Sequence, residues 1–117
     1  MTSGNALTIA ESRSGAVCVV ALSGRIDSTN AEQLMLRLTQ LLSAEEKAVL
    51  VDFGGVLYLT SAAFRALLVT ADEAERNGAR FVLCGVVGQV RELFEMGGLL
   101  DAFTIHGSYD EALARLG

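Results

Sequence analysis

Hydrophobic positions along the chain alternate between short, nearly solid runs and stripes at helical spacing. The short runs predict five strands, because apolar runs of roughly four to eight residues are typical of strands in a buried sheet. They lie at 6–10, 16–22, 49–53, 81–84 and 103–105, and the first of them is weak. The run at 16–22 is apolar throughout, which indicates a strand covered on both faces.

The stripes at helical spacing predict four helices. They lie at 31–42, 64–71, 90–94 and 109–116. Asn77-Gly78 follows the second stripe and Gly97-Gly98 the third, as is typical of helix ends. The resulting order, ββαβαβαβα, predicts an α/β fold with a mixed, mostly parallel sheet of four to five strands and about four helices.

Size and composition indicate one compact domain. The chain has 117 residues, of which 51% are hydrophobic, and it contains no proline. Domains of about 100–150 residues are the commonest size and bury a core without metal or disulfide bridges. We therefore expect a single domain over 1–117, with about residues 1–5 as a flexible N-terminus.

The formal net charge is −5. An acidic surface repels phosphate backbones and anionic lipids, so direct binding to nucleic acid or to a membrane is not expected. The longest apolar run, 16–22, is far shorter than the ~20 residues that span a bilayer, and the N-terminus resembles no signal peptide. These features predict a cytoplasmic protein.

The common catalytic and cofactor-binding patterns are missing from the sequence. There is no G-x-x-x-x-G-K-[ST] or G-x-G-x-x-G pattern, and we interpret G-V-V-G at 85–88 as a strand-to-helix turn. His106 is the only histidine, which argues against a metal site. Cys18 and Cys84 lie in apolar runs, which predicts buried free thiols. We expect no enzymatic activity, no metal and no cofactor.

One other α/β class of this length, the phospho-receiver domain, is excluded by the sequence. Receivers need an acidic pair after the first strand, an aspartate after the third and a lysine after the fifth. Only Glu11 and Asp52 are placed to begin that set. The single lysine, Lys47, precedes the third strand, so the essential lysine is missing.

The most informative segment is 51–68, where an apolar strand leads through a glycine-bearing loop into an amphipathic helix. Thr60 and Ser61 stand directly before the helical stripe, at a position typical of a helix N-cap. Ala63 carries no Glu or Gln side chain that would complete a capping box. The hydroxyl pair is therefore either a plain helix cap or a functional site.

Residues 52–68 read D-F-G-G-V-L-Y-L-T-S-A-A-F-R-A-L-L and resemble the hallmark of the STAS domains. That hallmark is approximately D-[LF]-[ST]-G-[VL]-x-[YF]-[ILM]-[DS]-S-[SA]-G-[LF]. The segment 22–27 with Thr29, and 103–105 leading into 110–113, resemble further parts of the family. The resemblance covers nearly the whole chain, and within the family it is to the stand-alone anti-sigma factor antagonists. It implies the STAS fold.

This resemblance implies that Ser61 is the serine that a partner kinase phosphorylates, with Thr60 in place of the preceding Asp or Ser. Asp27 matches an acidic residue of a loop bordering that serine, and is either a partner contact or the N-cap of the first helix. The expected partner-binding residues are Gly24, Asp27, Thr29, Thr60, Ala62, Phe64 and Arg65. Ala63 replaces the usual glycine and is expected to project a methyl group toward the partner, while Gly54 replaces a hydroxyl residue.

Both family motifs, at 24–29 and 54–61, follow apolar strands. As loops at the carboxyl ends of parallel strands, they are expected to share one rim of the sheet. The first turn of the second helix is expected to complete the partner surface on that rim.

The function implied by the resemblance is that of an anti-sigma factor antagonist. Unphosphorylated, the protein would bind an anti-sigma factor serine/threonine kinase and release the sigma factor; phosphorylation would end binding, and a serine phosphatase would reset it. Two alternatives stay open: a scaffold component of a stress-sensing assembly, or the small cytosolic STAS subunit of a lipid-transport ATPase complex. We expect a monomer or weak dimer.

Overall fold

The computed structural model describes residues 7–43 and 46–116. Within them the order ββαβαβαβα is confirmed, with one additional short 3₁₀ helix at Leu100–Ala102. The strands are β1 (Thr8–Ser14), β2 (Val17–Ile26), β3 (Ala48–Leu59), β4 (Arg80–Cys84) and β5 (Thr104–His106). The helices are α1 (Ala31–Ser43), α2 (Ser61–Arg76), α3 (Gly88–Met96) and α4 (Tyr109–Leu116). The N-terminal residues predicted to be flexible lie outside the described residues.

The five strands form one mixed sheet in the order β1-β2-β3-β4-β5. β1 pairs with β2 antiparallel, and the other three pairings are parallel. The predicted α/β class and the mostly parallel sheet are therefore confirmed. Each parallel connection carries a helix, as parallel strands require.

The helices cover both faces of the sheet. Alternate side chains of a strand point to opposite faces, so Cys18 and Val20 pack in the cluster under α1, α2 and α3. Val17 and Val19 point the other way and pack in the cluster under α4, with Ala112. Coverage on both faces explains why the 16–22 run is apolar throughout.

The first strand occupies 8–14 rather than the predicted 6–10. Pairing with β2, from Thr8 opposite Ser23 to Ser14 opposite Val17, decides its bounds. Most of its side chains are exposed at the edge of the sheet, so the strand carries almost no hydrophobic signal. The prediction was wrong because it relied on that signal.

Strands β2 and β3 continue through segments predicted to be loops. Gly24 pairs with Val56 and Ile26 pairs with Leu59, so 24–26 and 54–59 are strand. The register shifts between Ala21 and Ser23 and again between Gly24 and Arg25. At Gly55 an added Cβ would lie 2.7 Å from the Ser23 Cβ, so the two strands approach there as only glycine allows.

Candidate functional site

The carboxyl ends of β2 and β3 lie side by side and bring the two family motifs together, on one rim as predicted. Ile26 and Leu59 are paired at the ends of the two strands. The next residue, Thr60, donates its backbone N–H to the Ile26 carbonyl at 3.1 Å. The start of α2 is therefore tied directly to the end of β2.

Thr60 occupies the N-cap position of α2 with an extended backbone, but its side chain does not cap the helix. Its hydroxyl donates to the Ile26 carbonyl at 3.4 Å instead. Its own carbonyl accepts the N–H groups of Ala63 and Phe64 at 3.0 and 3.2 Å. Thr60 is therefore the N-cap residue of α2 by position, as one of the two interpretations expected, although its hydroxyl forms no capping hydrogen bond.

Ser61 is exposed at the first position of α2. N–H groups in the first turn of a helix have no intrahelical acceptor and carry a partial positive charge. No acidic residue stands in the first turn to offset that charge. Arg65 follows one turn later on the same side of the helix, also exposed, and forms no salt bridge within the described residues. The position favours an anionic group.

The loop after β2 is organised by Asp27. Its Oδ1 accepts the backbone N–H of Thr29 at 2.9 Å and the Thr29 hydroxyl at 2.5 Å. The hydrogen bonds from the Thr29 hydroxyl and N–H lower the pKa of the Asp27 carboxyl. The Asp27 backbone carbonyl also accepts the N–H groups of Asn30 and Ala31 at 3.2 and 2.9 Å, so Asp27 caps the turn that leads into α1. Its other expected role, as a contact with a partner, stays a prediction.

Asn30 is a structural part of this loop that the sequence analysis did not single out. Its side chain is buried, accepts the Asp27 N–H at 3.0 Å and donates to the Arg25 carbonyl at 3.0 Å. Asparagine directly before a predicted helix is a recognisable cap signal, which was available in the sequence. Its partners lie N-terminal to it rather than in α1.

A groove of about 260 Å³ separates the start of α1 from the start of α2. It places the Asp27 loop beside the helix that begins at Ser61. Its walls come from both helices and the preceding loop: Ser28, Ala31, Glu32, Met35, Ala62, Arg65 and Ala66. The groove has an apolar floor, with one basic and one acidic side chain at its sides.

The remaining predicted residues differ in accessibility. Ala63 is fully buried in the core, so the expectation that its methyl group projects toward a partner is wrong. Phe64 is half-buried and packs edge-on against Phe94 of α3, with ring centroids 4.9 Å apart. Gly24 lies within β2 with a φ of 102°. Ser61, Thr29 and Arg65 remain as the exposed members of the predicted surface.

The two cysteines are buried free thiols, as predicted. Burial, with the nearby Asp52 carboxylate, raises the pKa of Cys84 to about 12, so this thiol is not a nucleophile at neutral pH. His106 ends β5, 3.8 Å from a Glu111 oxygen. Among residues 7–43 and 46–116, no three His, Cys, Asp or Glu side chains are grouped to hold a metal ion. No helix within those ranges is long and apolar enough to cross a bilayer.

A family model, the STAS domain, matches residues 8–112. This match covers both motifs, the whole sheet and the rim where Ser61 lies. The chain belongs to the STAS domain family.

The chain is also similar to individual proteins, by sequence to a relative and by fold to solved structures. The chain is 34% identical over 96 residues to BtrV of Bordetella bronchiseptica, named as an anti-sigma factor antagonist, covering 82% of this chain and 83% of the relative. The fold is similar to an anti-sigma factor antagonist from Mycobacterium paratuberculosis (TM-score 0.85, 22% identity, 98% and 97% covered). It is also similar to the Bacillus cell fate determinant SpoIIAA in its phosphorylated form (TM-score 0.71, 18% identity, 94% and 100% covered).

Proposed function

We propose that this protein is an anti-sigma factor antagonist that works by partner switching in the cytoplasm. Unphosphorylated, it binds an anti-sigma factor serine/threonine kinase and releases the sigma factor. Phosphorylation of Ser61 ends that binding, and a serine phosphatase restores it. The observation that carries the proposal is the exposed serine at the start of α2, in a STAS domain with a relative named as an anti-sigma factor antagonist.

The position of Ser61 explains how a phosphate is tolerated by the fold. A phosphate there meets the positive end of the α2 dipole and the N–H groups of the first turn. Arg65, one turn further along an exposed face, is placed to add a charge-assisted hydrogen bond. Folding therefore survives phosphorylation, while a dianion in the interface opposes partner binding through repulsion and desolvation.

Ser61 is a better phosphate acceptor than its neighbour Thr60. Thr60 is half-buried, and its hydroxyl donates a hydrogen bond to the carbonyl of Ile26, 34 residues away. Ser61, in contrast, is exposed. After incubation with the cognate kinase and ATP, we expect one phosphate, located on Ser61 by phosphopeptide mapping. A phosphate on Thr60, or none with an active kinase, contradicts the assignment.

Two variants test the switch. Ser61→Asp places a carboxylate at the helix start and should fold normally, because an acidic group there stabilises the helix by about 0.3–1 kcal/mol. It should bind the kinase at least tenfold more weakly than Ser61→Ala in isothermal titration calorimetry, since an unmatched buried charge costs about 2–5 kcal/mol. Ser12→Asp, an exposed change on β1, is the matched control and should bind like the wild type.

Equal kinase binding by Ser61→Asp and Ser61→Ala would contradict partner switching through Ser61. It would favour the two alternatives from the sequence, the stress-sensing scaffold and the small STAS subunit of a transport complex. Thermal melts of both variants exclude misfolding as the cause of weak binding.

A further inference from the structure

Large apolar side chains are exposed on α1 and α2, and two of them, Leu36 and Val69, line one groove between these helices. Leu36 of α1 is 57% exposed, and Leu68 and Val69 of α2 are 39% and 43% exposed. The other large exposed apolar side chains among the described residues lie on other elements: Leu57, Val87, Met96 and Tyr109. We call the surface formed by Leu36, Arg65, Val69 and Glu73, which line the two grooves between these helices, the α1–α2 face.

A shallow groove of about 540 Å³ runs along this face. Leu36 stands on its α1 side, while Val69 and Glu73 stand on its α2 side. Clustered apolar side chains around an open groove are typical of surfaces that bind another protein. The groove therefore offers a partly apolar surface for contact with another protein.

The charges on α2 are arranged symmetrically about Val69. Arg65 stands four residues before it and Glu73 four residues after it, so the three side chains follow one side of the helix. Arg65 has no salt bridge within the described residues, whereas the half-buried Glu73 is bridged to the exposed Arg76 at 3.1 Å and accepts a hydrogen bond from Asn77 Nδ2 at 3.4 Å. Such a surface pair contributes about 0–1 kcal/mol, so it is easily exchanged for another partner.

This arrangement is complementary to itself. When α2 of one copy lies antiparallel to α2 of another, with a twofold axis at Val69, each Arg65 meets the Glu73 of the other copy. In the same register neither Asp72 nor Arg76 is matched with a residue of like charge on the other copy. A surface that pairs with itself about a twofold axis is the usual basis of a homodimer.

We propose that the α1–α2 face binds a second copy of this chain, with the two α2 helices antiparallel and the axis at Val69. Leu36 and Val69 supply the apolar contact, and the two Arg65–Glu73 pairs set the register. Each copy carries a net charge of −5, which opposes association and makes the dimer concentration-dependent. The dimer involves this chain alone and does not depend on the proposed kinase.

The apolar contact is tested by sedimentation velocity over a wide range of protein concentration, without any partner. The wild type should shift from monomer to dimer as concentration rises. Val69→Lys and Leu36→Lys should weaken this association at least tenfold. Met96→Lys, at an 83% exposed position on α3, is the matched control and should dimerise like the wild type.

The register is tested by a charge exchange. Arg65→Glu and Glu73→Arg should each weaken the dimer, because each places like charges opposite one another at both ends. The double variant restores both pairs and should recover most of the wild-type association. Circular dichroism melts establish that every variant is folded.

Three results would overturn the proposal: a chain that stays monomeric at every concentration, a dimer that Val69→Lys and Leu36→Lys leave unchanged, or a double charge exchange that fails to recover association. A monomeric chain whose complex with the kinase is weakened by Val69→Lys would assign the face to a helix of that kinase. None of these results tests the Ser61 switch, which is tested separately by the kinase binding of Ser61→Asp and Ser61→Ala.

Discussion

Asp27 has two separate properties, a hydrogen bond that shapes the loop after β2 and a negative charge near the proposed partner surface. Single-residue substitutions can remove one without the other. Its carboxylate oxygen holds the backbone of Thr29 and so shapes the loop after β2. Its negative charge lies near the start of α2, where a partner is proposed to bind. The side chain of asparagine can form the same turn, since a carboxamide oxygen accepts the same backbone N–H without carrying a charge.

We predict that Asp27→Asn, which can keep the turn, melts only slightly below the wild type at pH 7 and lowers affinity for the kinase at least tenfold. Asp27→Ala loses the turn as well as the charge, and should also melt earlier. Differential scanning calorimetry gives the stabilities and calorimetric titration the affinities. Unchanged kinase binding by Asp27→Asn would limit this residue to shaping the loop.

Among the structural elements, the paired ends of β2 and β3 decide where the site lies. The two strands approach so closely at Gly55 that a Cβ there would lie 3.0 Å from the Leu22 carbonyl oxygen as well as against Ser23. The same ladder leads to the Ile26 carbonyl, which holds Thr60 at the start of α2. Close strand packing therefore supports the position of Ser61.

We predict that Gly55→Ala destabilises the protein by about 1–3 kcal/mol, as overpacking of a tight contact does. Gly97→Ala is the matched control, because a Cβ there meets its nearest neighbour at an ordinary 3.4 Å and needs no unusual backbone. Urea denaturation gives both values. Equal stability of Gly55→Ala and the wild type would show that the strands can separate there without cost.

For the whole molecule, two carboxylates make folding sensitive to acid. A side-chain hydrogen bond from Arg37 lowers the pKa of Glu11, linking β1 to α1, and hydrogen bonds from Thr29 lower the pKa of Asp27. Each carboxylate therefore binds a proton less readily in the folded protein than in the unfolded chain. The stabilisation is complete above the ordinary carboxyl pKa of about 4 and is lost as pH falls through the lowered values.

We predict a urea midpoint that changes little from pH 7 to about 5.5 and falls steeply below about pH 4. Glu11→Gln should lower the midpoint at pH 7 and flatten the acid limb, because its charged hydrogen bond to Arg37 is lost. Glu92→Gln, an exposed change on α3, should retain the wild-type pH profile. Identical profiles for all three proteins would contradict the role of the Glu11–Arg37 pair.

The helices, the order of helices and strands along the chain, and the α/β class follow from the sequence alone because they depend on local periodicity. Apolar spacing of three and four residues placed all four helices, and solid apolar runs placed the central strands. The sequence also predicted that α2 begins near Ser61, since a hydroxyl pair typical of a helix start comes shortly before the apolar stripe at 64–71. Local pattern was insufficient for β1, whose pairing rather than hydrophobicity sets its bounds.

Contacts between distant parts of the chain decided the rest of the site. The pairing of 24–26 with 54–59 converts predicted loops into strand, and the Thr60 hydroxyl is used by a carbonyl 34 residues earlier. Helical packing turns Ala63 into the core and leaves Ser61 exposed beside it. The tertiary structure therefore decides which of the two adjacent hydroxyls is accessible. The Thr60 hydroxyl is bonded to the distant Ile26 carbonyl, whereas the Ser61 hydroxyl is exposed.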